Sequence, residues 1–410
     1  MFKKSFLSPV NSLLFAFLLL LSLFSIGIYL ATPDNIFGND FFVFHSASRV
    51  LFTEGLSPYS VQVETANQFA VYGRLALPGE NLMTFSYPPY ALLPFLPLTF
   101  LPLKWAQSIW VSLLFTSLLI LPILTYPRIP RWAFSTAFLL YPITFSLILG
   151  NFAILLGTII ILILGYLLNT QLHSRNKDLV FGALLAFSTI KPQFSALFVL
   201  FILIFAIRDK RYKLLQSFII SFLLFLAFSF ILLPSWPVEW YHQLIRYSES
   251  NQAIPHITIF FQLFTNPTTA NILAIIISTI LFLTLAWMTK KWWKNQLTPI
   301  KLLAFIGFLT YTIHPRTVSY EQIVFLVPLL VRIFSNPPSP STITKLTFYF
   351  SAIIVSWLGF FASKADLQTF FPLEWIFLFY IFWMIYIFLT KNLSPHPNAV
   401  HSQIHDSTDP

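Results

Sequence analysis

Runs of roughly eighteen or more uncharged apolar residues recur along this chain, and no other feature restricts its fold so strongly. Each is long enough to cross a bilayer as a helix, which satisfies its own backbone hydrogen bonds where no water can. The composition agrees. Of 410 residues, 57% are hydrophobic, 48 are Phe and only 9% are charged, against a charged fraction of about 25% in soluble domains. The alternation over about 10 residues that marks an outer-membrane barrel strand is absent. The chain therefore reads as an all-α polytopic membrane protein of about 10–12 transmembrane helices. Spans are expected near 10–30, 105–125, 131–149, 151–169, 179–190, 193–207, 212–233, 269–289, 299–313, 322–335, 343–362 and 374–390. Together they form one membrane domain over residues 1–393, followed by a polar tail at 394–410 expected to be disordered.

The start, MFKK followed by the apolar run Val10–Leu30, reads as an uncleaved signal anchor. The net charge of +10 is spread in short clusters between apolar runs. Such clusters are topology signals rather than a nucleic-acid patch, so no nucleic-acid partner is expected. With the N-terminus cytoplasmic, 17 of the 24 Lys and Arg fall on the cytoplasmic side, whereas 10 of the 14 acids fall outside. Both termini are then cytoplasmic and the chain is a multi-pass plasma-membrane protein. Three segments face outward: the long first loop 31–103, the second loop 234–268, and the turn His314–Gln322. Chemistry-bearing residues gather there, so the active face is expected outside. There is no cysteine, which excludes thiol nucleophiles and disulfides.

The first outer loop carries Asp40, His45, Arg49 and Glu54 within fifteen positions of a chain otherwise poor in charge. Asn39 is expected to cap a short helix with Asp40 in its first turn and Glu54-Gly55 closing it. His45 and Arg49 then share a face, four residues apart. Further on, prolines at 88, 89, 94, 97 and 102 forbid a continuous helix and suggest a re-entrant or interfacial segment.

Several motifs in this order resemble glycosyltransferase family 87, polyprenyl-phosphate-mannose-dependent enzymes of the GT-C membrane superfamily. They are Asp40-Phe41 with an arginine-bearing helix and Gly55…Pro58-Tyr59, Tyr87-Pro88-Pro89 with Leu-Pro repeats, Gly150-Asn151, Lys191-Pro192-Gln193, Asn251-Gln252 and the polar turn at 314–322. The chain departs from the family pattern at Asn151, where Gln is usual, at Ala253, where Ser is usual, and at His314-Pro315, where Ser-Pro is usual. The resemblance implies a GT-C-like fold and an inverting transferase. Its donor would be a polyprenyl-phosphate sugar, with mannose the leading candidate, and its acceptor a hydroxyl of a lipid-linked or cell-envelope glycan. Membrane lipids are the remaining partners, and no separate cofactor is implied.

That chemistry needs a base for the acceptor hydroxyl and cations for the departing phosphate. A carboxylate acting opposite the leaving group inverts the anomeric centre, by the logic of inverting glycosidases. Asp40 is the candidate base, since the resemblance implies an essential acid in the first outer loop; alternatively it only favours a helix dipole. Lys191 either binds the donor phosphate, with Gln193 as amide partner, or snorkels at the boundary. Arg316 suits bidentate phosphate binding and His314 can donate to the same group, with Tyr320 and Glu321 beside them; the alternative is an interfacial anchor cluster. Asn251 is a candidate for sugar hydroxyls. His45, Arg49, Tyr87 and Asn151 are supporting candidates, while Glu54 reads as a solvated helix-end acid. Trp236, Trp240, Tyr241 and His242 read as an interfacial belt or as sugar-stacking rings. No metal is expected, because no His-x-x-x-His or acid-rich cluster accompanies the 314–321 residues and Asp-x-Asp does not occur. Two other classes stay open. A transporter or flippase of lipid-linked glycans would put polar groups near the midplane and show repeats, and a glycan polymerase or ligase would use a lipid-diphosphate donor.

Overall fold

The structure is a computed structural model and describes residues 9–78, 80–126, 129, 131–251, 254–313, 323 and 342–364. Among these, the regular structure is helical throughout. The chain begins with α1 (Pro9–Ala31), which packs along α4 (Leu103–Ile120). Phe24 meets Phe115 edge-on at 4.7 Å, and Tyr29 stacks on Trp105 at 4.1 Å. The other faces of α1 expose Leu14, Phe15, Leu18, Leu23 and Leu30, as expected of a helix whose solvent is lipid.

Among the described residues four helices are long and apolar enough to cross a membrane: Asn11–Ala31, Leu103–Leu124, Tyr212–Leu232 and Pro267–Trp293. A fifth exists if the pair Trp132–Leu139 and Tyr141–Leu149, bent by 75°, is one broken span. The sequence pattern predicts one span at 131–149. The break comes at Leu140, whose backbone is extended, just before a helix with Pro142 in its first turn, where a missing N–H is tolerated. Three further apolar helices, α7 (Ala153–Leu168), α9 (Pro192–Arg208) and α14 (Pro299–Ile313), are shorter and largely buried by their neighbours. Helix α7 is buried on nearly every side, which suits a helix apolar all round. The expected spans at 322–335 and 374–390 and the tail lie outside the described residues, apart from Ile323 in contact with Gly157.

In lipid, helices associate through close packing rather than hydrophobic exclusion, so small residues mark the seams. Gly182 of α8 (Arg175–Phe187) is one: a Cβ there would lie 2.4 Å from the Leu214 carbonyl oxygen on α10 (Tyr212–Leu232). At the same end of this pair sits a buried polar knot. Arg211 donates to Asp178 Oδ1 from Nε at 2.9 Å and from Nη2 at 2.6 Å, and the Tyr166 hydroxyl donates to the same oxygen at 3.1 Å.

The opposite end is built from the first long loop. It holds α2 (Asn39–Arg49), a π-helical turn at Val50–Glu54 and α3 (Val61–Tyr72). Gly55 and Gly73, at φ 66° and 70°, stop the second and third of these, in the left-handed conformation that glycine adopts without penalty. The proline-rich stretch forms a 3-10 helix, Pro89–Leu98. Helix α11 (Trp236–Asn251) lies over this loop. Glu239 accepts from Ser57, Trp240 Nε1 donates to the Ser86 carbonyl at 3.0 Å, and Arg246 donates to the Tyr59 carbonyl at 3.0 Å. The two large loops read as outward-facing are thus pinned to each other.

Candidate active site

The site grows from two glycines. Gly38 is the N-cap of α2, so Asn39 is its first helical residue and not the cap expected from sequence. The reason is steric: a Cβ on residue 38 would lie 2.9 Å from the carbonyl oxygens of Ile148 and Leu149, at the end of α6 (Tyr141–Leu149). Gly150 ends α6 at φ 66°, with Asn151 N–H returning to the Ser146 carbonyl at 2.9 Å in the manner of a Schellman close. A Cβ at Gly150 would lie 2.7 Å from Cβ of Phe41. Trp110 Nε1 on α4 donates to the Gly150 carbonyl at 2.8 Å, fixing the corner from behind. Two bare backbones therefore bring the start of α2 against the α6–α7 corner.

This contact places Asp40 beside Asn151. The Asn151 Nδ2 donates to Asp40 Oδ2 at 2.6 Å, and its Oδ1 accepts from the Ala153 N–H at 2.8 Å. Asn151 is buried and Asp40 half-buried. Lys191, 2% exposed, sits at the corner between α8 and α9 and acts on Asp40 through its charge. Its carbonyl receives the Phe194 and Ser195 N–H groups while Pro192 opens α9, as expected. Burial, the largest influence, pushes the Asp40 carboxyl above its ordinary range, against the Asn151 hydrogen bond and the Lys191 charge. The outcome is a carboxylate kept basic by desolvation.

Around it stands an aromatic wall. Phe44, one turn along from Asp40, contacts Tyr87 at 5.3 Å, Phe95 at 5.4 Å and Phe152 at 4.7 Å. Tyr87 belongs to this wall, and its carbonyl accepts from the Tyr59 hydroxyl at 2.6 Å. His45 and Arg49 do not share an environment. His45 is buried, stacks on Phe41 and donates through Nε2 to the Leu98 carbonyl at 3.2 Å. Burial holds its pKa below the ordinary histidine value, with the Leu98 carbonyl opposing. Arg49 and Glu54 are exposed. The structure thus ties His45 into the packing of α2 on the 3-10 helix.

Gln193 is exposed on the first turn of α9, beside Lys191. Asn251 is the last residue of α11. His314, Arg316, Tyr320 and Glu321 lie outside the described residues. Trp236 is buried against Phe230 and Trp240, whereas Tyr241 is exposed, so the two divide between packing and surface. Among the described residues no group of three or more His, Asp or Glu is placed to hold a metal. The sequence reading missed the clamp of Glu239, Gln243 and Arg246 on α11. Its one legible signal is their spacing of four and three, which puts them on a single helix face.

A half-buried carboxyl raised by desolvation, an amide that grips it and a buried ammonium thus stand at one end of a helical membrane protein. No curated protein and no solved structure matches the chain. A family model does match, over residues 85–315, a stretch that contains Asn151 and Lys191 and begins after Asp40. It covers more than half of the 410 residues, and the chain belongs to glycosyltransferase family 87.

Proposed function

We propose that this glycosyltransferase moves a sugar, with mannose the leading candidate, from a polyprenyl-phosphate donor to a hydroxyl of a lipid-linked or cell-envelope glycan, with inversion, on the outer face of the membrane. The observation that carries the reading is a carboxyl raised by burial, Asp40, that feels the charge of a buried ammonium, Lys191, contributed by a segment 151 positions away. The Asp40 carboxylate takes the proton of the acceptor hydroxyl as its oxygen attacks the anomeric carbon. The bond from that carbon to the phosphate oxygen breaks, and the phosphate leaves with the electron pair. Lys191 stabilises the charge that develops on the phosphate, as fixed donors do at other departing oxyanions. Gln193, on the same corner, offers an amide to the donor. His314 and Arg316 add cationic contacts to the phosphate, with Tyr320 and Glu321 beside them, and Asn251 meets sugar hydroxyls. Because the donor bond is already activated, no acid and no metal cofactor is invoked.

Support for the outward orientation comes from the charge bias of the loops. Asp40, Asn151 and Lys191 lie at the end of the bundle opposite the Asp178–Arg211 knot, which belongs to the loops read as cytoplasmic. The test supplies purified protein with a panel of polyprenyl-phosphate sugars and follows transfer by mass spectrometry. Transfer from a polyprenyl-phosphate sugar that disappears in Asp40→Asn is expected; turnover at the wild-type rate in that variant removes Asp40 as base. Transfer only from nucleotide or lipid-diphosphate sugars overturns the donor class.

A further inference from the structure

We infer that Asn151 is a positioning residue for Asp40: its carboxamide carries a free N–H of the first turn of α7 on to the carboxylate, fixing which oxygen is held and how basic it is. This rests on the reading of Asp40 as the base. A carboxamide has one accepting and one donating end, and here the backbone decides which points where. Ala153 N–H donates to Oδ1 at 2.8 Å, so Nδ2 must be the group that meets Asp40 Oδ2 at 2.6 Å. The Ala153 N–H lies at the start of α7, where first-turn amides have no partner within the helix and carry its positive end. Donor follows donor from the α7 backbone through the amide to the carboxylate, and aligned hydrogen bonds of this kind polarise one another.

The choice of an amide matters chemically. A cation in direct contact would neutralise the carboxylate and weaken it as a base, whereas an amide holds it without a charge and does not titrate. Among the described residues Oδ2 is the carboxylate oxygen so held, which leaves Oδ1 for an acceptor hydroxyl. Asn151 is 1% exposed and follows the glycine corner braced by Trp110, so its rotamer is set by packing. Among the described residues, other titratable groups near Asp40 are few. Lys191 acts on it from the α8–α9 corner, and Tyr72 on α3 feels its charge. On the packed elements, Lys104 of α4 turns to Asp34, Tyr90 of the 3-10 helix to Thr189, and Glu64 of α3 towards Arg246. Tyr141 of α6 stacks on Phe145, and on α2 itself His45 is held by Leu98 while Arg49 is exposed.

Two variants separate positioning from structure. Asn151→Ser keeps a good acceptor for the Ala153 N–H but is too short to reach Asp40, and Asn151→Ala loses both. Three quantities are measured on the full-length protein: thermal stability, the pH profile of kcat and donor KM with a polyprenyl-phosphate sugar, and the Asp40 carboxyl infrared band, identified by subtracting Asp40→Asn, as a function of pH. In Asn151→Ser, stability stays near wild type while kcat falls about 10- to 100-fold, the kinetic equivalent of one hydrogen bond to a charged group. Donor KM is unchanged, and both the acid limb and the infrared midpoint move to higher pH. A wild-type midpoint and acid limb in Asn151→Ser overturn the inference, as does an activity loss in both variants that only tracks the fraction folded. Full turnover in Asp40→Asn instead sinks the base reading; the infrared midpoint, which needs no turnover, still decides whether Asn151 governs the carboxyl.

Discussion

Two acids enclosed at opposite ends of this molecule are treated in opposite ways. Asp178 is 8% exposed and gripped directly by the Arg211 guanidinium and the Tyr166 hydroxyl. Its charge is spent on a partner, as buried ion pairs require if they are to survive desolvation. Asp40 is half-buried, held by a neutral amide, and influenced by Lys191 through the field. One carboxylate is neutralised by a direct ion pair, and the other is held by an uncharged amide, as the proposed base requires. The lesson is that enclosure alone does not mark a catalytic acid; the nature of the contact does.

The strongest way to break the comparison is Asp40→Asn. Transfer should fall about 10²- to 10⁴-fold, the usual weight of a general base, with no loss of melting temperature. The sign follows from the direction of the pKa. A carboxyl raised in the folded state above its unfolded value costs stability once pH exceeds the unfolded pKa, and the neutral amide removes that cost. Wild-type activity falls as pH drops through the raised Asp40 pKa, which a pH–rate profile reads directly. Asp178→Asn should do the reverse. It strands the Arg211 charge in a buried site and costs about 3–5 kcal/mol of stability, leaving kcat per folded molecule near wild type. A kcat collapse in Asp178→Asn at full stability would erase the distinction between the two acids.

Lys191→Ala sharpens the picture of the reactive end. Donor kcat/KM should fall about 10²-fold, as when one fixed donor to a developing oxyanion is removed, and the acid limb should move to higher pH because a cation that lowers the Asp40 pKa is gone. Steady-state kinetics at several pH values checks both, and an unchanged kcat/KM would mean that the phosphate is held elsewhere. Gly150→Ala acts on stability: about 1–2 kcal/mol of backbone strain at a positive φ, and on top of it a clash of the new Cβ with Phe41 Cβ at 2.7 Å. Thermal unfolding should register it, whereas Gly55→Asn, at the same φ but with open space around it, should be nearly silent.

Much of this was legible because the membrane forces periodic, one-sided patterns on a sequence. The apolar runs announced the helices, Gly55 the end of the α2 segment, Pro192 the start of α9, and the scarcity of charge made Asp40 and Lys191 conspicuous. What stayed hidden depends on which backbones touch. Gly38 is the cap because of carbonyls 110 residues away in the chain, and no local rule that favours Asn39 can register them. His45 and Arg49 share a helical side by spacing, yet the 3-10 helix covers only the first, so one is buried and the other exposed. The break at Leu140 escaped notice because the run around it is apolar on both sides.

The glycine corner also imposes a timetable. Asp40 is synthesised 111 residues before the amide that grips it and 151 before the ammonium whose charge reaches it. At about 5–20 residues per second, the acid waits on the order of ten seconds on the ribosome with neither neighbour present. Its raised pKa is therefore a property of the finished bundle, acquired when the α6–α7 corner docks against α2.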